Sequence, residues 1–427
     1  MAAFNKFWKN ADLKRKIFFT LMIFVVYRIG VFIPVPAINT TVLQATFQAP
    51  VFGILDAFTG GALQSFSVFA MSISPYINAS IIIQLLQMDV IPILTEWSKE
   101  GESGKRKINQ LTRYLSLVLA FVQALAIAMG FNMMSGGILL EGQGWLIYLY
   151  IAIILTAGTA VMLFLSDQIT AKGIGNGTSM IIVAGIVTQI PTMIRDLYSY
   201  YLANFTLTNV LAVIAIIALL LLTVIGVVYL QLATRKLPIQ YANRHNSAQL
   251  SGRKDSFIPL KLNSAGVIPV IFASTLLSLP LTIITFFPES GFTNVLNLLF
   301  NFNSSLIGLL IYVVLIVGFT YFYAFVQVSP EKVAENLKKQ GSYIPGVRPG
   351  ADTEEYLSKV LSRITFIGAL SLVVIACLPI VLSMLTEIPQ SIRIGGTTIL
   401  IVVGVAIETA KQIQTKTMDQ RYQGFIK

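Results

Sequence analysis

The sequence predicts an all-α polytopic membrane protein with ten transmembrane helices, and three observations support this fold class. Hydrophobic residues make up 55% of the 427 residues and charged residues only 11%, whereas a soluble domain carries about 25% charged residues. Ten apolar segments are long enough to cross a hydrocarbon core. Lysine and arginine concentrate in alternate connecting loops, as expected when loops face opposite sides of a membrane.

The predicted spans follow the hydropathy along the chain, since a helix needs about 20 mostly apolar residues to cross the bilayer. The fifth and tenth are short, and we expect them to tilt or to be shielded by neighbouring helices. The ten segments are 17–35, 73–93, 111–130, 145–165, 178–194, 210–230, 264–286, 305–326, 364–385 and 397–413.

The distribution of positive charge predicts the orientation. The N-terminal segment, every second loop and the C-terminal tail together hold 27 of the 30 lysines and arginines. The exceptions are Arg28 within the first span and Arg195 and Arg393 on the opposite side. By the positive-inside rule, both termini of this multi-pass membrane protein are predicted to be cytoplasmic. The net charge of +11 is therefore mainly a topology signal and not evidence for nucleic-acid binding.

The connection between the first two spans is unusual. Residues 51–70, VFGILDAFTGGALQSFSVFA, are too polar for a span and too apolar for a solvated loop. Irregular backbone at membrane depth is tolerated only where protein shields it or where it lines a cavity. We therefore predict that this stretch folds back into the protein interior, as a half-helix followed by a separate helix.

Two large loops lie on the predicted cytoplasmic side. The loop 231–263 is basic, and the loop 327–363 carries the rigid turn SYIPGVRPG, in which prolines fix the backbone and glycines permit tight turns. The ten spans divide into an N-terminal half, 1–194, and a C-terminal half, 195–427. Inverted repeats of this kind are common in membrane proteins, although no strong internal sequence repeat is visible.

Motifs for enzymatic chemistry are missing from the sequence. GESGKRK at 101–107 lacks the spacing of a phosphate-binding loop. One cysteine, Cys377, and one histidine, His245, allow neither an intrachain disulfide nor a Cys/His metal site. We predict no catalytic residues, no metal and no cofactor. Charged residues within spans are few, Arg28 and Glu408 being the clearest, which favours a passive conduit over an ion-coupled transporter.

Six stretches, in order along nearly the whole chain, resemble motifs of the SecY family of translocon channels. Departures from the family pattern are Ser74, where methionine is expected, and Lys172, where arginine is common. The six stretches are SPYINASIIIQLLQ at 74–87, EGESGKRKINQLTRY at 100–114, KGIGNGTSMIIVAGIV at 172–187, LKLNSAGVIPVIFAS at 260–274, GSYIPGVRPG at 341–350 and GGTTILIVVGVAIE at 395–408.

The resemblance implies an hourglass pore between two pseudo-symmetric five-helix halves, closed at its waist by a ring of apolar side chains. A ring of branched apolar residues can block ions by dewetting. In a chain so rich in isoleucine, the simpler interpretation is packing or contact with lipid. The motif matches assign the ring to Ile73, Ile77, Ile182, Ile186, Ile271 and Ile401.

The resemblance also implies a plug, a short helix that blocks the pore from the outer side, at residues 56–67. Two consecutive glycines weaken a helix by about 1 kcal/mol each relative to alanine, which would suit an element that must move. A static re-entrant loop is the alternative. The residues are Asp56, Ala57, Phe58, Thr59, Gly60, Gly61, Ala62, Leu63, Gln64, Ser65, Phe66 and Ser67.

A lateral gate toward lipid is implied between the second and third spans on one side and the seventh and eighth on the other. Asn78, Gln123 and Asn263 match polar positions of this gate. Amide side chains can hydrogen-bond across helices in lipid. For each residue taken alone, a static hydrogen bond between packed helices is an equally good interpretation.

The resemblance implies partners as well as a pore. These are the SecE and SecG subunits, the SecA motor ATPase, the ribosome, preproteins that carry signal sequences, and the lipid bilayer. Arg348 matches the prominent arginine of the docking loop for motor and ribosome. Lys236, Arg244, Arg253 and Lys254 could contact ribosomal RNA phosphates, although each could serve only as a topology anchor.

The implied function is a passive, gated protein-conducting channel that exports unfolded chains and releases transmembrane segments sideways into lipid. Two other functions remain open at this point. A secondary transporter for a small solute would need charged residues at the membrane midplane and a small closed cavity. A membrane scaffold or assembly factor would have no through-pore, and would leave the plug-like segment unexplained.

Overall fold

The structure is a computed structural model, and it describes residues 11–38, 59–87, 90–134, 144–202, 206–241, 256–284, 291–303, 305–385 and 396–423. Within these residues the protein is mainly helical, with one small sheet. Helix α1 is Ala11–Val31, α2 is Ser74–Leu86, α3 is Pro92–Lys99, α4 is Glu102–Met134, α5 is Trp145–Lys172 and α6 is Gly177–Leu197, followed by a π-helical turn at Tyr198–Leu202.

The second part of the chain adds seven helices and three strands. In order they are α7 Leu207–Leu232, β1 Thr234–Tyr241, β2 Ser256–Lys261, α8 Ile268–Ile284, α9 Gly291–Phe300, α10 Leu306–Gln327, α11 Pro330–Lys339, β3 Ser342–Tyr343, α12 Ala351–Leu385 and α13 Gly396–Gln423.

Each of the ten predicted spans overlaps one of these helices. Within the described residues, six helices are long and apolar enough to cross a membrane by themselves. The second predicted span was too long, because α2 ends at Leu86 and a separate helix starts at Pro92. Proline lacks an N–H and clashes with the preceding turn, and Ile91 before it is extended, with φ −119° and ψ 110°. The helix therefore cannot continue through this point.

The helices pack into two groups. In the first, α4 contacts α2 and α5, and α5 also contacts α1 and α6. In the second, α10 contacts α8 and α12, while α13 contacts α7 and α12. Contacts between the groups include α6 with α13 and α8 with α2 and α4. This arrangement creates an interior seam between the groups. The predicted division at residue 194 stays a prediction.

The large loops are more structured than the sequence predicted. In the loop 231–263, β1 and β2 pair antiparallel from Thr234 with Lys261 to Ile239 with Ser256. In the loop 327–363, β3 pairs with the end of β1, and α12 begins at Ala351 instead of near residue 364. Leu237, Leu260, Leu337 and Leu357 lie in a shared apolar core. The sheet was missed because prolines and basic residues hide the strand pattern.

Residues 59–73, here called the turn segment, join the interior of the bundle to α2. A half-helix was predicted here, but the structure has mainly consecutive turns from Gly60 to Ile73. Positive φ values at Gly60 (67°), Gly61 (88°), Phe66 (44°) and Ser72 (46°) interrupt right-handed helical geometry. This correction applies to the described part of the predicted plug. Asp56, Ala57 and Phe58 lie outside the described residues.

Candidate functional site

A cavity of about 70 Å³ lies at the seam between the two helix groups. Its walls come from the turn segment and from α2, α4, α6, α8 and α13, so both groups contribute. It is large enough for several water molecules. The lining residues are Thr59, Leu63, Ala70, Met71, Ser72, Ile73, Ser74, Ile77, Asn78, Gln123, Ile127, Ile182, Ile271, Ser274, Thr275, Ser278 and Ile401.

The structure brings most of the six predicted ring isoleucines to this cavity. Five of them, Ile73, Ile77, Ile182, Ile271 and Ile401, line it. The sixth, Ile186, is buried in an apolar cluster with Ile182, Ile401 and Val405. Because residues i and i+4 share one face of a helix, Ile182 and Ile186 both face α13. These isoleucines therefore pack against one another mainly where α6 meets α13.

Glycines position the start of α6. Gly175 has φ +83°, a conformation that other residues rarely adopt. A Cβ at Gly177 would lie 1.8 Å from the Ser166 carbonyl oxygen of α5, so α6 must start with a glycine to pack there. Asn176 caps α6 by accepting a hydrogen bond from the Thr178 N–H at 3.1 Å. The glycine-rich motif thus fixes where α6 enters the seam.

The turn segment is tied to α1 by hydrogen bonds to its backbone. The Tyr27 hydroxyl donates to the Thr59 carbonyl at 2.7 Å, and the Arg28 guanidinium donates to the Gly60 carbonyl at 3.1 Å. The Ser65 hydroxyl donates in the other direction, to the Val31 carbonyl at 3.0 Å. Arg28 also lies over the Phe32 ring, 4.6 Å from its centroid. This arginine, buried in part, thus acts on the turn segment directly.

Close packing reinforces these bonds. Phe66 and Ser67 are fully buried, and backbone bonds join Val35 N–H to the Phe66 carbonyl and Val68 N–H to the Ile33 carbonyl, both at 3.0 Å. A Cβ at Gly60 would lie 2.8 Å from the Gly185 Cα of α6. Residues 59–67 are therefore held in place by tertiary contacts, and their movement as a plug stays a prediction. Their hydrogen bonds come from tertiary partners that the local sequence does not reveal.

The contact of α2 and α4 with α8 and α10, here called the gate seam, holds two of the three predicted gate amides. Asn78 on α2 and Gln123 on α4 both line the cavity. Asn78 is buried, and its Oδ1 has no hydrogen-bond partner among the described residues. The structure does not bring Asn263 to them: its amide donates to the Gly266 carbonyl at 2.8 Å, within the turn before α8.

Sequence reasoning missed a polar contact elsewhere in the gate seam. The Tyr323 hydroxyl of α10 donates a hydrogen bond to Oε1 of Gln84 on α2. Tyr323 also belongs to an aromatic cluster, with its ring 5.1 Å from that of Phe272 on α8 and at 74° to it. The glutamine stands within the quoted motif SPYINASIIIQLLQ. A polar residue in this apolar motif could have been noticed from the sequence. Its hydrogen-bond partner could not be deduced, because it is 239 residues away in the chain.

Two of the five predicted docking residues lie in the described residues, and both are exposed on the sheet side of the bundle. Arg348 follows the tight turn at Gly346, and its own carbonyl accepts a hydrogen bond from the Thr353 hydroxyl at 2.7 Å. Lys236 on β1 lies 4.8 Å above the Phe257 ring of β2. Arg244, Arg253 and Lys254 lie outside the described residues.

Among the described residues, other charged groups pair near the surface or stand exposed. Arg113 of α4 and Asp167 of α5 form an ion pair of 2.7 Å, with both side chains about half exposed, and Glu408 is exposed on α13. In the part of the chain that the structure describes, no three His, Cys, Asp or Glu side chains cluster so as to hold a metal ion. Cys377 is buried.

Comparison with known proteins identifies the family. The sequence model of the SecY family matches residues 67–410. The chain belongs to the SecY family. It is 49% identical over 426 residues to the protein translocase subunit SecY of Bacillus licheniformis, covering 99% of both chains. It is 47% identical to the SecY subunit of Staphylococcus carnosus, covering 99% of this chain and 98% of the relative.

Solved structures share the fold. The chain resembles a structure described as that of a protein conducting channel, with a TM-score of 0.65 and 18% identity over 95% of this chain and 93% of that one. It also resembles Sec61 in the canine ribosome–channel complex, with a TM-score of 0.63 and 17% identity over the same shares. The ten-helix arrangement is thus that of the SecY/Sec61 channels.

Proposed function

We propose that this SecY-family chain is the protein-conducting channel of a bacterial translocase, and that it is a passive conduit and not an enzyme. The observation that carries the proposal is the cavity between the two helix groups, which has isoleucines on several walls and the turn segment against it. Identity of 47–49% to SecY translocase subunits over nearly the full length supports the same activity. Unfolded secretory chains would pass through the seam, and apolar segments would leave it sideways into lipid.

In this proposal the six isoleucines form the seal at the pore waist. Branched apolar side chains exclude hydrated ions because water leaves a narrow apolar constriction. These side chains can still separate around a passing polypeptide, because apolar contacts are not directional and no hydrogen bond has to be broken. The burial of Ile182, Ile186 and Ile401 against one another supports this role for the contact between α6 and α13.

The proposed plug is residues 56–67, of which 59–67 belong to the turn segment. It contributes Thr59 and Leu63 to the cavity wall, so its displacement would open the cavity at that point. Moving it requires separation of the hydrogen bonds from Tyr27 and Arg28. A hydrogen bond that involves a charged donor contributes about 1.5–3 kcal/mol, so these anchors would hold the plug at rest without making its release prohibitive.

The gate seam is the proposed route into lipid. Asn78 and Gln123 present polar groups to a mainly apolar cavity, where a passing signal sequence could contact them. We keep Asn263 as a gate residue only indirectly, because its hydrogen bond shapes the turn that leads into α8. We also propose the division into halves at 1–194 and 195–427, which fits the helix contacts.

The sheet side of the bundle is the proposed cytoplasmic side, with both termini there, since it carries most of the positive charge. Arg348, Lys236, Arg244, Arg253 and Lys254 are the proposed docking residues for a motor ATPase and for ribosomal RNA phosphates. SecE and SecG subunits and the SecA motor are the proposed partners, in the bacterial cytoplasmic membrane. The sequence carries no phosphate-binding loop motif, and in this proposal the driving force comes from these partners.

A crosslink tests the channel directly. A cysteine or photoreactive probe is placed at Ile182 in a Cys377→Ser background, and a secretory chain is stalled in transit in membranes with motor and ATP. The matched control is Val187, an exposed residue on the same helix. We expect an adduct at position 182 that depends on the stalled chain and shifts along it with chain length. Adducts only at position 187 would reject the pore and favour a transporter or scaffold.

A further inference from the structure

The bond between Gln84 and Tyr323 lies away from the cavity, farther along the gate seam. Neither residue lines the cavity. Gln84 is six positions beyond the cavity-lining Asn78 on α2, which corresponds to about 9 Å along the helix. Tyr323 stands near the end of α10, just before α11 and the sheet. The bond therefore joins the two helix groups on the sheet side of the cavity.

Local contacts orient both partners. The Gln84 amide nitrogen donates to the Ser80 hydroxyl at 3.0 Å, one helical turn earlier. With the nitrogen engaged there, the amide oxygen points outward as the acceptor for the Tyr323 hydroxyl. Tyr323 is 6% exposed. The acceptor is thus held ready within α2, and the donor has little freedom to turn away.

Aromatic packing surrounds the bond and involves the third helix of the seam. Phe272 of α8 meets both Tyr323 and Phe319 edge-to-face, at 5.1 and 5.9 Å between ring centroids. Ile81 of α2 is buried in the same cluster. The bond therefore closes in an environment with little water, where separated partners would not find an immediate replacement.

Opening the gate seam at this level must separate α2 from α8 and α10. The cluster consists otherwise of apolar and aromatic contacts, which an apolar segment entering the seam can replace with its own. It cannot replace the hydrogen bond, because its side chains carry neither donor nor acceptor. A hydrogen bond between membrane helices changes an equilibrium by about three- to ten-fold. Breaking the bond therefore raises the free energy of opening the gate seam. The incoming segment can offset this cost only by making further apolar contacts.

We propose that Gln84 and Tyr323 form a latch across the lateral gate, and that this latch sets how apolar a signal sequence must be to open it. Gln84 and Tyr323 are then specificity-determining residues, and Ser80 is a positioning residue that orients the glutamine. This inference rests on the proposed function, since it presumes that the gate seam opens toward lipid.

The experiment uses cells in which this chain, with its partner subunits, is the sole channel. Reporter proteins carry signal sequences in which leucines are replaced stepwise by alanine. The variants are Tyr323→Phe, Gln84→Leu and the double variant, each close in size to the parent. The matched control is Tyr321→Phe, because the Tyr321 hydroxyl on the same helix bonds the Ser362 carbonyl of α12 within its own helix group. Export is expressed per protease-resistant chain in the membrane, so reduced folding does not affect the result.

We expect both single variants to export reporters with fewer leucines, with export of a marginal reporter rising about three- to ten-fold. The double variant should match the singles, because one bond is removed only once, and Tyr321→Phe should behave as the parent. An unchanged or raised leucine requirement, additive single effects, or an equal shift in Tyr321→Phe would overturn the latch. The crosslink at Ile182 separates the two proposals, since a false latch leaves that adduct intact and a false channel removes it.

Discussion

The turn segment and the gate seam border the same cavity but are held in different ways. The turn segment is fixed by hydrogen bonds to backbone carbonyls, from Tyr27 to Thr59 and from Arg28 to Gly60. The gate seam is held by side chains that meet one another, chiefly aromatic rings and the bond between Gln84 and Tyr323. Backbone acceptors do not change with sequence, whereas side-chain contacts do. The first region therefore has a fixed resting position, and the second can be adjusted one residue at a time.

The largest expected effect comes from replacing Gly60 with alanine. Positive φ costs an alanine about 1–2 kcal/mol, and the new Cβ would lie 2.8 Å from the Gly185 Cα, so the backbone must shift. Overpacking of this kind costs a further 1–3 kcal/mol or so. We expect a strong ion leak through purified complex in liposomes, measured as anion flux without substrate.

Gly61→Ala is the matched control for that substitution. Gly61 also has positive φ (+88°), but a Cβ there would meet nothing within 4 Å. The two variants therefore share the backbone strain and differ in the clash with α6. Equal leak from both would mean that close contact with α6 does not hold the turn segment.

Arg28→Gln is expected to have the next largest effect. Loss of a charged donor to the Gly60 carbonyl removes about 1.5–3 kcal/mol from the closed position, so resting leak should rise roughly ten-fold or more. Arg28→Lys keeps the charge and should restore part of the seal. A leak that is equal in the glutamine and lysine variants would instead assign the effect to packing against Phe32.

Ile182→Asn tests the proposed isoleucine seal, which lies beside the same cavity as the turn segment and the gate seam. An amide placed among Ile186, Ile401 and Val405 hydrates the constriction, and burying it without a partner costs about 1–3 kcal/mol. We expect a modest ion leak together with export of reporters that have defective signal sequences. Ile190→Asn, at an exposed site on the same helix, should change neither. Normal leak and normal stringency in Ile182→Asn would remove this residue from the seal.

The smallest expected effect, with the opposite sign to the latch variants, belongs to Asn78→Leu. Replacing a buried amide whose Oδ1 lacks a partner among the described residues removes a desolvation cost of about 1 kcal/mol from the closed gate. The gate should then open less readily, so that the reporter series requires more leucines. A lower requirement would show that Asn78 helps to hold the gate closed through contacts outside the described residues.

Features set by local sequence could be predicted, whereas features set by contacts between distant parts of the chain could not. Span positions depend on local hydropathy, and every predicted span meets a helix, although Pro92 ends the second one early and α12 starts before its apolar part. The sheet has Pro238 and Pro259 inside its paired strands β1 and β2, and its third strand comes from the distant loop 327–363, so its pattern is not visible locally. The ring residues came from resemblance to a family, because isoleucine spacing alone could not distinguish a seal from contact with lipid.

The anchors of the turn segment were beyond sequence reasoning for a related reason. Arg28 could be recognised as a charge within a span. Its acceptor could not be predicted, because it is the backbone carbonyl of Gly60 and every residue carries such a group. Gln84 and Tyr323 were each unremarkable in an apolar helix. Their contact depends on the meeting of α2 with α10, between residues 239 positions apart in the chain.

The three-stranded sheet has a mechanical consequence. Strand β2 leads through a short turn into α8, and this turn packs closely against α12 and α13. A Cβ at Gly368 of α12 would lie 2.5 Å from the Leu262 carbonyl oxygen, and a Cβ at Gly404 of α13 would lie 2.9 Å from the Val267 side chain. Strand β3 couples the loop that bears Arg348 to the same sheet. Strand pairing and these close contacts therefore link both large loops to the first turn of α8.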